Sequence, residues 1–101
     1  MSLSLGGPVV IPGATNNGAS SISQALDVAV EAGIVTVVAI GNGNLGLAAH
    51  PGSVSYPGDS VKAITVGSVN DDHSREIYSS RGPTGDGRLK PDVMAPGGAI
   101  M

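Results

Sequence analysis

Ile34-Val35-Thr36-Val37-Val38-Ala39 is an almost unbroken run of apolar, mostly β-branched residues, and it starts directly after a segment with helical periodicity. A strand with one wet face alternates apolar and polar residues. An unalternating strand is covered on both faces, as in the middle of a parallel sheet. The preceding segment carries helix start and stop signals. Ser21 can cap its N-terminus, and Gln24 three residues later completes a capping box. Ile22, Ala25, Leu26, Ala29 and Val30 then fall on one face, and Gly33 closes the helix as a left-handed residue past its last turn. A second β-rich run, Ala63 to Val69, reads as the next strand, and two short extended pieces follow near Glu76 to Ser80 and Asp92 to Ala95. Met1 to Gly7 reads as the end of a strand. Pro8 to Ala19 is a loop, with turn signals at Pro12-Gly13 and Asn16-Asn17-Gly18, and Gly41 to Ser60 is a longer one. The expected class is α/β with a mostly parallel sheet.

Composition narrows the function. The 101 residues are 41% apolar but include only two aromatics, Tyr56 and Tyr78, so the core is built from Val, Ile, Leu and Ala. Such a core is marginal for an isolated domain of this size. The net charge is −3 and no basic stripe exists, which gives nucleic acid and anionic membranes no electrostatic footing. The longest apolar run, Ile34 to Ile40, is far too short to cross a bilayer. Cysteine is absent, which excludes disulfides and thiolate metal sites. Met1-Ser2-Leu3 leads straight into Ser4-Leu5-Gly6-Gly7 without a signal peptide, as expected of an internal fragment.

Gly41-Asn42-Gly43-Asn44-Leu45-Gly46 spells G-x-G-x-x-G just after a strand, the pattern of a dinucleotide-binding turn. That turn works by presenting the N-terminus of a following helix to a pyrophosphate. Here Leu47-Ala48-Ala49-His50-Pro51-Gly52 cannot continue as a helix beyond about a turn. No strand ending in an acidic residue lies at the required distance, because Asp59 comes too soon and sits in a loop. The motif therefore reads as a glycine-rich loop at a strand end.

Five segments in order resemble the subtilisin-like serine protease family, the subtilases. Ser4-Leu5-Gly6-Gly7 resembles the family's substrate-pairing strand, and Ala39-Ile40-Gly41-Asn42 resembles the segment that ends in the oxyanion-hole asparagine. Tyr56-Pro57-Gly58 followed by Ala63 to Val69 is similar to the specificity-pocket wall and the strand behind it. Ser79-Ser80-Arg81-Gly82-Pro83 is similar to a Ser-x-x-Gly-Pro turn, and Lys90-Pro91-Asp92-Val93-Met94-Ala95-Pro96-Gly97 to the stretch leading towards the nucleophile. The resemblance covers essentially the whole chain, residues 1–101, and implies part of a three-layer subtilisin-like peptidase domain.

The residue types suit the chemistry. Acyl transfer builds negative charge on the scissile carbonyl oxygen, and a preorganised donor at that point lowers the barrier. The resemblance gives this role to Asn42, whose amide is a neutral donor that does not titrate. Gly41 beside it lets the substrate come close. Ser4, Leu5 and Gly6 would add a substrate strand by backbone pairing, and Ala39, Ile40, Ser55 and Tyr56 would lie at or near the pocket for the residue before the cut. Ile40 replaces the family's usual small residue.

The family's nucleophile lies in Gly-Thr-Ser and its base in His-Gly-Thr-His; neither string occurs here. Asp86-Gly87 does not fit the Asp-x-Gly motif, and His50 and His73 lie in loops outside any matching motif. In the family the aspartate and histidine precede the Ser-Leu-Gly strand and the serine follows the Ala-Pro-Gly segment. The triad is thus expected outside this chain, which alone would be inactive, while the parent protein cuts peptide or protein substrates. No cofactor is required. The resemblance also implies calcium near the pocket loop, through carbonyls of Gly58 to Ala63 and the carboxylate of Asp92, with Lys62 as a competing charge. Secretion is the family's default. A second reading is a non-catalytic peptide-binding or structural module, and open strand edges would favour self-association.

Overall fold

The computed structural model describes residues 1–6, 16–43 and 50–98. The Pro12-Gly13 turn, the second glycine of Ser-Leu-Gly-Gly and the Asn44-Leu45-Gly46 half of the glycine motif lie outside those residues. Strands β1 (Ser2–Leu3), β2 (Val37–Ala39), β3 (Ile64–Val69) and β4 (Val93–Pro96) form one sheet in the order β1-β2-β3-β4, with helix α1 (Ser21–Glu31) between the first two. Every pairing is parallel, with Leu3 opposite Val38, Val38 opposite Thr65, and Val66 opposite Val93. The fold is α/β with a parallel sheet, as its sequence pattern predicts.

Both ends of α1 are set by local chemistry. The N-cap is Ser20 rather than Ser21: its hydroxyl accepts the Ser23 N–H at 3.2 Å and donates to Ser23 Oγ at 2.8 Å. At the other end Gly33 has φ +92°. Its N–H donates to Val30 O and the Ile34 N–H to Ala29 O, the paired bonds of a left-handed helix stop. The buried face is narrower than the periodicity predicts. Leu26 is buried, but Ile22 and Ala25 are exposed. Ser23 takes a fully buried place instead, because its hydroxyl donates to the Asp59 carboxylate at 2.5 Å. The same carboxylate accepts the Gly18 N–H at 2.9 Å, so one buried acid ties the helix start to the loop before β3.

Leu26 packs against Val38 and Ala63, with Leu3 beside them, and this cluster joins helix to sheet. β2 is shorter than the apolar run, since Ile34 and Val35 stay exposed where the chain climbs from the helix to the sheet. The expected piece near Glu76 to Ser80 is a turn, not a strand. The Ser79 N–H folds back onto Glu76 O, and the Arg75 guanidinium donates to the carbonyls of Glu76 and Ser79. Residues 53–60, read from sequence as loop, are mostly buried. A buried loop needs partners for its backbone groups. They come from Ile40 O, which accepts the Ser55 N–H, from Arg81 O, which accepts the Ser53 N–H, and from the Thr65 hydroxyl, which donates to Gly58 O. Among the described residues no helix is long and apolar enough to cross a membrane.

Candidate active site

Parallel strands end on the same side of their sheet, and ligand crevices of α/β folds open there. At that end lies a cleft of about 290 Å³. β1 and its exit contribute Ser2 to Ser4, β2 and its exit contribute Val37 to Asn42, and β3 contributes Val66 to Ser68. Ser79 and the stretch Ala95 to Gly97 complete it.

Asn42 stands at the cleft's rim with its side chain exposed, one residue past the buried Ile40 and the half-buried Gly41. It is flanked by two left-handed glycines, Gly41 at φ +108° and Gly43 at φ +55°. One buried residue holds both sides of this turn. The Ser80 N–H donates to Gly41 O at 2.9 Å, and Ser80 Oγ accepts the Gly43 N–H at 2.7 Å. Ser80 is 1% exposed, so the bonds are shielded from water. Below, Ala39 to Gly41 press directly onto Ser55 to Gly58. A Cβ on Gly41 would come 2.7 Å from Ser55 Cβ, and one on Gly58 would come 2.7 Å from Ala39 O. The turn is therefore fixed from both sides.

The predicted site residues fall into two adjoining groups. Ser4, Ala39, Ile40, Gly41 and Asn42 line the cleft. Ile40 is among them although it is only 1% exposed. Gly6, Ser55 and Tyr56 meet beside it: a Cβ on Gly6 would sit 3.3 Å from Tyr56 O and 3.4 Å from Ser55 Cβ. Leu5 is exposed, Ser55 buried and Tyr56 half-buried, and none of these three borders the cleft. Sequence reasoning assigned no role to Ser79 or Ser80. Their Ser-x-x-Gly-Pro setting is the signal that points to them, since Ser79 Oγ also accepts the β3 N–H of Ser68 at 2.9 Å.

Neither histidine reaches a serine hydroxyl or a carboxylate among the described residues. His50 is exposed, with Nδ1 2.9 Å from Pro51 O, and His73 is exposed at φ +67°. Two serine–carboxylate contacts, Ser23 with Asp59 and Ser60 with Asp27, brace α1 against the loop before β3, and a third, Ser74 with Asp72, lies within an exposed turn.

Two carboxylates outside the cleft lining, Asp86 and Asp92, are held below their ordinary pKa by cationic partners. Burial pushes the Asp92 carboxyl up, but the Lys90 ammonium 2.8 Å away and the Thr65 N–H outweigh it and leave it below its usual range. The Arg88 guanidinium and the Thr84 hydroxyl lower Asp86 to about 2. No group of three or more His, Cys, Asp or Glu side chains suited to a metal ion occurs among the described residues.

With this geometry in view, the chain matches the subtilase family over residues 1–100. It is 36% identical over its whole length to Serine protease AprX of Bacillus subtilis (strain 168), covering 23% of that protein. To subtilisin E of the same strain it is also 36% identical over its whole length, covering 22%. A solved psychrophilic protease, S41, superposes on 97% of the chain with a TM-score of 0.67 and 31% identity, and the chain covers 31% of it. The prenylagaramide maturation protease PagA reaches the same TM-score at 20% identity, a likeness of fold alone. The chain thus spans less than a third of the length of these relatives.

Proposed function

Since this chain belongs to the subtilase family, we propose that it supplies the oxyanion donor and the substrate-binding floor of a secreted, subtilisin-like serine endopeptidase. The observation that carries the proposal is the clamped turn. Asn42 projects from a glycine-flanked bend at the cleft rim, and the buried Ser80 fixes the backbone on both sides of it. A donor held so rigidly needs little reorganisation when charge develops, which is where electrostatic catalysis gains most.

In this reading residues 1–101 form part of a peptidase domain. The substrate lies as an extended strand with Ser4, Leu5 and Gly6 on one side, using their backbone groups. Ala39 to Gly41 flank it on the other, and Ser55 and Tyr56 border the pocket for the residue before the cut. As a serine attacks the scissile carbonyl, the carbonyl oxygen gains negative charge and accepts a hydrogen bond from Asn42 Nδ2. That bond is stronger in the tetrahedral state than in the ground state and so lowers the barrier. The nucleophile and its base come from the family's Gly-Thr-Ser and His-Gly-Thr-His motifs, which these 101 residues lack. The chain alone is therefore inactive.

A fluorophosphonate probe tests both halves. The intact protein should be labelled at one serine and should hydrolyse a peptide substrate, while residues 1–101 expressed alone should do neither. Covalent labelling of residues 1–101 at a serine would overturn the second half, and an intact protein that neither labels nor hydrolyses would overturn the first.

A further inference from the structure

The family resemblance implies a calcium ion held by carbonyls of residues 58–63 and the carboxylate of Asp92. Four of that segment's six carbonyl oxygens, however, already have side-chain donors. Gly58 O accepts from the Thr65 hydroxyl at 2.8 Å. Asp59 O and Ser60 O accept from the two terminal nitrogens of Arg88, at 2.8 and 3.4 Å. Ala63 O accepts from Lys90 Nζ at 3.1 Å, and the same ammonium lies 2.8 Å from Asp92 Oδ2. Asp92 Oδ2 also takes the Thr65 N–H at 2.7 Å.

Three of these donor nitrogens belong to two cationic groups, the Arg88 guanidinium and the Lys90 ammonium, which come from one short excursion. Residues 84–88 form a tight turn, in which the Arg88 N–H bonds to Thr84 Oγ1 and the Gly87 N–H to Thr84 O. The turn projects Arg88 and then Lys90 onto the loop before β3. The Lys90 side chain is only 4% exposed, so its ammonium sits inside the wall and not in solvent. Lys62, the competing charge expected from sequence, is not the one involved: it is exposed and pairs outward with Glu31.

We infer that Arg88 and Lys90 act as this loop's own tethered cations, so that residues 58–63 and Asp92 take no calcium. Calcium needs six to eight oxygens at about 2.3–2.6 Å. To reach Ala63 O and Asp92 Oδ2 it would have to expel a buried ammonium or lie against it, at the cost of direct repulsion between cations. A tethered charge also gives up less entropy than an ion captured from solution, so the wall is held together at any calcium concentration.

The test uses the intact protein, melted in EGTA and in calcium chloride at about 10 mM, above the weakest calcium modules' dissociation constants. Wild type and Asp92→Asn should show the same calcium-induced change in unfolding midpoint, whatever other calcium sites the protein has. An ion held by this segment at a dissociation constant of about 0.1–1 mM would favour the folded state roughly 10- to 100-fold under these conditions. Loss of such a gain in Asp92→Asn overturns the inference. A second measurement needs no variant: reductive methylation of folded wild type, mapped by mass spectrometry. Lys90 should stay unmodified in both conditions while Lys62 reacts. Methylation of Lys90 that appears on adding calcium, or that occurs freely without it, overturns the inference equally.

Discussion

Replacing Gly41 by alanine tests how tightly the Asn42 turn is held. At φ +108° an L-residue is strained, at a cost of about 1–3 kcal/mol. The new methyl would also lie 2.7 Å from Ser55 Cβ and 3.2 Å from Ser80 Oγ, neither of which can withdraw. Ser55 is pinned by its N–H to Ile40 O, and Ser80 by its bonds to Gly41 and Gly43. Overpacking of this kind costs a further ~1–3 kcal/mol. Together they reach about 2–6 kcal/mol, a large share of the 5–15 kcal/mol that typically holds a domain folded. Gly87→Ala is the control: Gly87 has φ +84° but nothing within 4 Å of an added Cβ, so only the backbone cost applies. Urea unfolding of the intact protein, followed by circular dichroism with the m-value checked for constancy, gives both losses. Gly41→Ala should lose at least 1 kcal/mol more than Gly87→Ala, and Ser55→Gly in the Gly41→Ala background should recover part of the excess. Equal losses for the two alanine variants would refute the close packing of Ala39 to Gly41 on Ser55 to Gly58.

The other expectations can be checked with the same preparations. Ser80→Ala removes the acceptor of the Gly43 N–H and should cost about 1–3 kcal/mol of stability. In the active protein it should also lower kcat more than it changes KM, with Ser80→Thr keeping most of the rate; a purely structural role would leave the kcat-to-KM balance untouched. Lys90→Met removes the side-chain donor of the Ala63 carbonyl and the cationic partner of Asp92, which keeps only the Thr65 N–H. Because the Asp92 side chain is 42% exposed, the loss should stay near the low end of about 1.5–3 kcal/mol, read from the shift in urea midpoint. Asp86 and Asp92 are depressed in the folded state, so their contribution is present above the ordinary carboxyl value of 3.8 and is lost as pH falls below it, for Asp86 towards about 2. Unfolding midpoints should drop over that range, and Asp86→Asn should flatten the drop. An unchanged midpoint from pH 5 to pH 2 would contradict the two ion pairs.

What the sequence makes legible is what period and local stop signals control. The Ile34 to Ala39 run, Gly33 and the Ala63 to Val69 run mark a parallel α/β sheet because unbroken β-branched residues and a left-handed stop depend on few distant partners. Ser20 takes the cap although only Ser21 has Gln three residues on, because the Ser20 hydroxyl bonds Ser23, whose own hydroxyl reaches the distant Asp59. The predicted strand near Glu76 to Ser80 failed for a similar reason. Its serines serve β3 and the Asn42 turn through side-chain bonds that no local pattern encodes. At the candidate site, family resemblance points to Gly41 and Asn42 directly but marks Ser80 only as part of a Ser-x-x-Gly-Pro turn, and its bond to a residue 37 positions away is encoded by no local pattern. Adjacency in sequence points to Lys62 as the charge beside residues 58–63, whereas the cations hydrogen-bonded to carbonyls of that segment are Arg88 and Lys90, 27 to 29 positions along the chain from them.

Steady-state kinetics of Asn42→Ala in the intact protein, beside wild type and on one peptide substrate, tests most directly whether this turn supplies the oxyanion donor. The variant should fold with an unchanged urea midpoint, since the Asn42 side chain is exposed. Its kcat should fall by about 10²–10³, or ~2.7–4 kcal/mol of transition-state stabilisation, with KM nearly constant; that magnitude comes from a subtilisin, a member of the same family, rather than from this structure. A kcat within about threefold of wild type, or a loss carried wholly by KM, would contradict the assignment of Asn42 and with it the proposed role of the cleft.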